Sequence, residues 1–173
     1  STSASSEPDG GRSEYEPEVS FASNTGTIKM SRPIAVFPGT FDPITVGHVS
    51  IVERALPLFD RIVIGMGVNN AKKTMFEQEQ RLQWIRDAFK GHANVEAVMF
   101  QGLTVDLCRR VGAGFIVRGL RNSTDHGYER SIALMNHALR GVETVFLPAL
   151  PEHAHISSTI VRELMANKAD VSA

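Results

Sequence analysis

Short apolar runs alternate with stretches of helical period along most of this chain, and that alternation restricts the folds open to it. The runs cover residues 34–37, 61–68, 95–100, 115–118 and 143–147. Helical spacing begins at His48 with Val49, Val52, Ala55, Leu56 and Phe59, and returns over 77–89, where Leu82, Ile85 and Phe89 share one face. A short helix over 104–111 is predicted to start at a capping Thr104 and stop at Gly112, and longer patterns cover 128–139 and 158–166. Strands joined by helix-length crossovers run parallel, with right-handed connections that put helices on both faces. The expected architecture is therefore α/β, a doubly wound parallel sheet of five strands. Ligands of such sheets bind beyond the carboxyl ends of the strands. Polar clusters fall at those ends, at 40–48, 69–73, 118–121 and 153–158.

The first of these clusters is the most informative. Pro38-Gly39 breaks the opening run, and the next helix carries His48 in its first turn. A helix start presents unpaired N–H groups and the positive end of the macrodipole, so it suits an anion, and an imidazole there adds a donor. Neither Gly-x-Gly-x-x-Gly nor Gly-x-x-x-x-Gly-Lys-Ser/Thr occurs, which removes the main support for dinucleotide and P-loop readings. Lys72-Lys73 after the second run is either a solvated pair or a phosphate contact. Arg118 and Arg121, with Gly119 between them, can converge on phosphates in bidentate geometry or serve as surface ion partners. Ser157, Ser158 and Thr159 make a helix N-terminus, where capping explains some of the hydroxyls and an anion site explains all of them.

Composition narrows the classes further. At 173 residues the chain is long enough for one domain with a core, and a net charge of −1 gives no reason to expect nucleic acid or a membrane as partner. A single cysteine, Cys108, excludes an internal disulfide and points to core packing in a reducing compartment. No bilayer-length apolar run or leader is evident, so the cytoplasm is the expected location. Residues 1–31 are rich in Ser, Gly, Pro and Glu and read as a flexible extension or tag remnant; residues 32–173 form the folded domain. His92, His126, His137, His153 and His155 lack metal-ligand spacing, and no nucleophile elbow or Cys–His pairing emerges. A reaction without a covalent intermediate fits that inventory.

Gly39-Thr40-Phe41-Asp42-Pro43 followed by Gly47-His48 resembles the Thr/His-x-Gly-His signature of the nucleotidyltransferase superfamily. Arg118-Gly119-Leu120-Arg121 and Ile156-Ser157-Ser158-Thr159-Ile160-Val161-Arg162-Glu163 are similar to two motifs of the phosphopantetheine adenylyltransferase family, as is Met135-Asn136. The resemblance covers about 33–172 and implies a Rossmann-like fold that adenylylates 4′-phosphopantetheine with ATP and Mg²⁺. By that resemblance His48, Lys72, Thr40 and Arg121 are the catalytic residues. ATP would meet Thr40, Phe41, Gly47, His48, Arg121, Glu129, Ser157, Ser158 and Thr159. Phosphopantetheine would meet Thr40, Lys72, Thr104, Arg118, Asn136 and Glu163. Dephospho-coenzyme A or coenzyme A is implied as product or inhibitor, and a homohexamer as the assembly.

The chain departs from the family in two places. His126-Gly127 stands where the family has an aromatic and an acid, and the chain stops at Ala173 where the family continues into a short helix. These departures put local order near Glu129, and assembly, at issue. Three other readings stay open on the sequence: a sister enzyme using another acceptor, such as nicotinamide mononucleotide or CTP with glycerol phosphate; a silent nucleotide-binding module; and a structural oligomerisation domain.

Overall fold

The structure is a computed structural model that describes residues 32–69, 71 and 73–171. The extension assigned to residues 1–31, and the Lys72 side chain, lie outside the described residues. Strands β1 (Ile34–Gly39), β2 (Arg61–Gly67), β3 (Val95–Phe100), β4 (Phe115–Leu120) and β5 (Glu143–Pro148) alternate with α1 (Val46–Ala55), α2 (Gln78–Ala88), α3 (Thr104–Val111), α4 (Ser123–Arg140) and α5 (Ser158–Ala166). The sheet is wholly parallel in the order β3-β2-β1-β4-β5, the expected doubly wound arrangement. No helix among the described residues is long and apolar enough to cross a membrane.

Side-chain alternation along the strands builds a core on each face. Ala35 and Phe37, Ile62, Ile64 and Met66, and Val117 point to the face covered by Ile51, Val52 and Ala55 of α1 and Leu82 and Ile85 of α2. Val36, Val63 and Ile116 point the other way, onto Val105, Leu107 and Cys108 of α3. Near-continuous apolar strands are what a sheet buried on both faces requires. Cys108 is fully buried, and burial pushes its thiol up to about 11, in keeping with a packing role.

The chain turns from β1 outward to β2 and β3, then crosses back to β4 and β5, so β1 and β4 flank the switch point. β1 and β2 stay paired over their length, Ile34↔Arg61 through Gly39↔Met66. By contrast β1 pairs with β4 only at Ala35↔Phe115 and Val36↔Ile116. Beyond Val36 the two strands part, and Pro38 has no N–H to offer a ladder. The gap between them opens towards the carboxyl ends.

Some boundaries differ from the sequence reading. β4 continues to Leu120, so Arg118 stands within the strand instead of ending it. The fourth helix begins at Ser123, not near residue 128, because Asn122 caps it: its Oδ1 accepts from the Asp125 N–H at 2.9 Å. Its first turns carry no apolar stripe, which hid them from periodicity. Thr104 is the first residue of α3 rather than its cap; Leu103 holds the cap position and makes no side-chain bond there. Gly112 does stop that helix, with a φ of 72°.

Close approach of α3 to the sheet depends on Gly65 in β2. A Cβ at that position would lie 2.5 Å from Leu107 Cδ2 and 3.2 Å from a Phe100 ring carbon. Leu107 is itself buried, so it has no space to retreat into. Gly65→Ala is expected to cost about 1–3 kcal/mol in urea unfolding, the usual scale of overpacking. An unchanged midpoint would show that α3 can move off the sheet.

Candidate active site

Local backbone geometry explains how the β1–α1 loop shapes its surface. Phe41 sits at a φ of 49°, a left-handed conformation uncommon for a side chain of its size, and its ring is 2 % exposed. The ring packs against Phe37 at 5.7 Å and His48 at 5.2 Å between centroids. A Cβ on Gly39 would come 2.8 Å from Phe41 Cζ, so glycine is what lets the ring fold back over the strand end.

Thr45 is the N-cap of α1 and His48 its third residue. The Thr45 N–H donates to His48 Nδ1 at 3.0 Å, and the Thr45 hydroxyl lies 2.9 Å from the same nitrogen. This is a capping box with an imidazole in the position usually held by Glu or Gln. Because Nδ1 accepts a backbone N–H, the neutral ring carries its proton on Nε2. Burial, then the charges of Arg118 and Arg121, lower its pKa from the ordinary 6.5 to about 4. His48 is therefore a neutral donor at pH 7.

Two cavities meet at the switch point. The smaller, about 310 Å³, is lined by Thr40, Phe41, Gly47, His48, Arg121, Ser157, Ser158, Thr159 and Arg162, among others. The larger, about 910 Å³, is lined by Thr40, Asn69, Thr104, Tyr128, Glu129 and Asn136, among others. Pro38, Gly39, Thr40 and Arg118 line both. Thus most of the residues singled out in the sequence converge on adjoining spaces. Glu129 lies on the larger cavity with Thr104 and Asn136, not on the smaller one. Glu163 is exposed on α5 and lines neither of the two.

Both arginines have carboxylate partners. Arg118 Nε donates to Glu129 Oε2 at 2.8 Å, Nη2 donates to Oε1 in a short contact, and Nη1 donates to the Pro38 carbonyl at 2.8 Å. Arg121 Nε donates to Asp125 Oδ2 at 3.1 Å, on a more exposed surface. At the start of α5, Ser157 Oγ accepts from the Ile160 N–H at 3.2 Å, which is the cap read from the sequence. Ser158 Oγ donates to the Pro43 carbonyl at 2.8 Å, tying α5 to the β1–α1 loop.

Sequence reasoning gives no role to Asp42, which belongs to this same loop, or to Arg81 and Arg162, which are bonded to it. It dismissed His153 for want of metal spacing, yet His153 lines the smaller cavity, and its Nδ1 is buried with no hydrogen-bond partner among the described residues. Also among the described residues, no three His, Cys, Asp or Glu side chains gather as a metal cage.

Comparison with known proteins gives the family and the fold. The cytidylyltransferase-like family profile matches residues 36–164. By structure, a bifunctional NMN adenylyltransferase/ADP ribose pyrophosphatase from Francisella tularensis is similar with a TM-score of 0.61 at 17% identity, over 79% of this chain and 43% of that one, and shares the fold. The chain belongs to the cytidylyltransferase-like family, a class of nucleotidyltransferases. A phosphopantetheine adenylyltransferase from Christiangramia forsetii is 48% identical over 131 residues, 76% of this chain and 87% of the relative. Another from Leuconostoc citreum is 50% identical over 137 residues, 79% of this chain and 87% of the relative. Within the class, the chain's place is among the phosphopantetheine adenylyltransferases.

The imidazole geometry has a direct spectroscopic consequence. Nitrogen NMR is expected to find His48 as the Nε2–H tautomer at pH 7, with no titration until the pH approaches 4. An unfolded chain takes up that proton near 6.5 and the folded one near 4, so protonation favours unfolding. His48's contribution to stability should then fall as the pH drops from 6.5 to 4. Titration near 6.5 would show that the ring is not held as described.

Proposed function

We propose that the chain transfers the adenylyl group of ATP to 4′-phosphopantetheine, giving dephospho-coenzyme A and pyrophosphate. The observation that carries this reading is the pair of cavities sharing Thr40 and Arg118. Two substrates need two spaces with one common wall where their phosphates meet. The smaller space, with His48, Arg121 and the α5 hydroxyls, suits the nucleotide. A cavity of about 910 Å³ with Thr104, Arg118 and Asn136 has room for a long arm bearing amides and a phosphate.

The acceptor's phosphate oxygen attacks the α-phosphorus in line. A new P–O bond forms as the bond to the bridging α–β oxygen breaks, and that oxygen leaves with pyrophosphate. The phosphate nucleophile is already ionised near neutrality, so positioning and charge stabilisation supply the catalysis. In this reading Thr40 and Lys72 hold the attacking phosphate. The Nε2–H of His48 donates to the α/β-phosphate oxygens, where its neutrality makes it a donor that does not give up its proton. Arg121 neutralises the leaving pyrophosphate. Arg118 and Asn136 hold the acceptor, joined by Thr104 from α3.

Mg²⁺ fits as a companion of ATP rather than as a resident ion. The carboxylates of Asp42, Asp125 and Glu129 are engaged by N–H groups or guanidinium groups. The cation would therefore be coordinated mainly by phosphate and water oxygens, as is usual for it, and would offset charge on the polyphosphate. Dephospho-coenzyme A and coenzyme A carry both the adenylyl group and the pantetheine arm, so they would fill both cavities and act as product and inhibitor. The working place in this reading is the cytoplasm.

Pyrophosphate release from ATP and Mg²⁺ should require 4′-phosphopantetheine and fall about 10²–10³-fold in kcat for His48→Ala. Release driven only by nicotinamide mononucleotide, or by glycerol phosphate with CTP in place of ATP, would assign a sister reaction. Near-normal turnover of the variant would remove His48 from catalysis.

Assembly is the second part of the proposal. α4 has no buried residue along its length, and Tyr128, Leu134, Met135 and Leu139 on it are exposed. Ile160, Leu164 and Met165 on α5 are exposed as well. Apolar surface of this extent marks an interface between copies, a hexamer by resemblance. Light scattering should give a mass several times that of one chain, lowered by Met135→Asp. A monomer at micromolar concentration would overturn the assembly.

A further inference from the structure

A set of contacts around the β1–α1 loop serves none of the roles above. The Asp42 side chain is almost wholly buried, and both of its oxygens accept backbone N–H groups: Oδ2 from Met75 at 2.9 Å and Oδ1 from Phe76 at 3.0 Å. Those N–H groups belong to the loop between β2 and α2, just beyond Lys73 and Thr74. From the other side, Arg162 Nη1 donates to the Asp42 carbonyl at 2.6 Å and lies 3.8 Å from Asp42 Oδ2. Arg162 Nη2 donates to Thr159 Oγ1 at 3.2 Å. Beneath the loop, the buried Arg81 donates from Nη1 to the Thr40 carbonyl at 2.7 Å and from Nε to the Phe76 carbonyl at 3.1 Å.

We infer that Asp42 is a positioning residue for the transfer, setting where the Met75–Phe76 end of the β2–α2 loop stands relative to Thr40 and His48. The inference rests on the proposed reaction, in which Lys72 holds the attacking phosphate. A carboxylate that accepts two successive N–H groups fixes both the distance and the direction of the segment that donates them, and such charge-assisted bonds are stronger than neutral ones. Arg81 grips the same two segments through Thr40 and Phe76, so the loop end cannot slide along β1. Arg162 extends the brace to the hydroxyls of α5. One buried acid thus joins the segment assigned to the attacking phosphate to those assigned to the nucleotide. In-line displacement needs such alignment, and small misplacement from a distance is enough to slow it. Asparagine has the shape of aspartate but offers one acceptor oxygen, and its NH₂ would face a backbone N–H. Asp42→Asn should therefore release one of the two loop contacts while leaving the sheet alone.

The test uses the full chain in pyrophosphate release, calorimetric binding of ATP alone, and amide hydrogen exchange. Asp42→Asn is expected to lower kcat about 10²-fold, with ATP affinity close to that of the wild type. In the wild type the Met75 and Phe76 amides should be protected although they lie in a loop. In the variant at least one of the two should lose protection while the β1 and β2 amides keep theirs. A folded variant with wild-type kcat would overturn the inference. So would wild-type Met75 and Phe76 amides that exchange at the rate of an unstructured peptide. The wild-type exchange does not require the variant to fold or the enzyme to turn over. An inactive wild type with protected Met75 and Phe76 amides would sink the proposed reaction, and the catalytic role of Asp42 with it. Turnover with open amides would sink the Asp42 inference alone.

Discussion

The hydrogen bond from the Thr45 N–H to His48 Nδ1 is the interaction on which the rest of the site depends. It satisfies one of the orphan donors at the start of α1, a local need of any helix. It also orients the imidazole and leaves Nε2 as the only ring nitrogen free to act. Phe41 closes over the ring from one side, which is possible only because Gly39 has no Cβ. Burial there keeps the imidazole neutral near two guanidinium groups. The atoms that cap the helix are thus also those that orient the donor assigned to the proposed reaction. Removing the ring therefore costs a cap as well as a donor, and stability has to be measured beside rate in any substitution at this position.

The two arginines differ in how firmly they are held. Arg118 is gripped at Nε and Nη2 by Glu129, whose side chain is 12% exposed, and at Nη1 by a main-chain carbonyl. An arginine bound on three nitrogens in a partly enclosed place is a fixed donor, and removing either partner would leave a charge stranded. Arg121 is paired to Asp125 on a surface where its own side chain is 44% exposed. Such pairs contribute little and exchange readily. An incoming polyphosphate can draw Arg121 away from Asp125 at small cost, whereas Arg118 keeps its place. In the proposed reaction the contrast would suit a stationary wall for the acceptor and an adaptable clamp for a group that must leave.

Much of this was legible in the sequence. Apart from the start of α4, each strand and helix lies within a few residues of its expected position, because each core-facing residue obeys the period of its element. The clusters at 40–48, 118–121 and 157–159 stood out for a different reason: ligands of a parallel sheet bind at strand ends, and each of these stretches places glycine, hydroxyls or cations there. Arg81 was not legible, since a charged residue on a polar helix reads as solvated, and only the tertiary fold supplies the Thr40 and Phe76 carbonyls that justify burying it. Asp42 was visible within its motif, but its partners are N–H groups 33 and 34 residues away, which no local pattern encodes. Glu163 matched a motif in sequence and yet lines neither cavity, being exposed on α5.

The crevice itself follows from a defect in the sheet. β1 is central, and a proline in a central strand is normally excluded because the ladder loses a donor. Pro38 is tolerated because the strands have already separated: β1 and β4 pair only at their first residues. The Pro38 carbonyl, which would otherwise lack a partner on that side, accepts from Arg118 Nη1. A side chain from β4 thus replaces the backbone donor that a closed ladder would have supplied, and it holds the strands apart while satisfying the exposed carbonyl. Gly119, next along β4, has space for little else: a Cβ there would meet Ile51 Cγ1 at 3.1 Å. The same few residues account for why the sheet opens at this point, why the opening persists, and why a guanidinium stands in its wall. Those are three consequences of one strand pair failing to close.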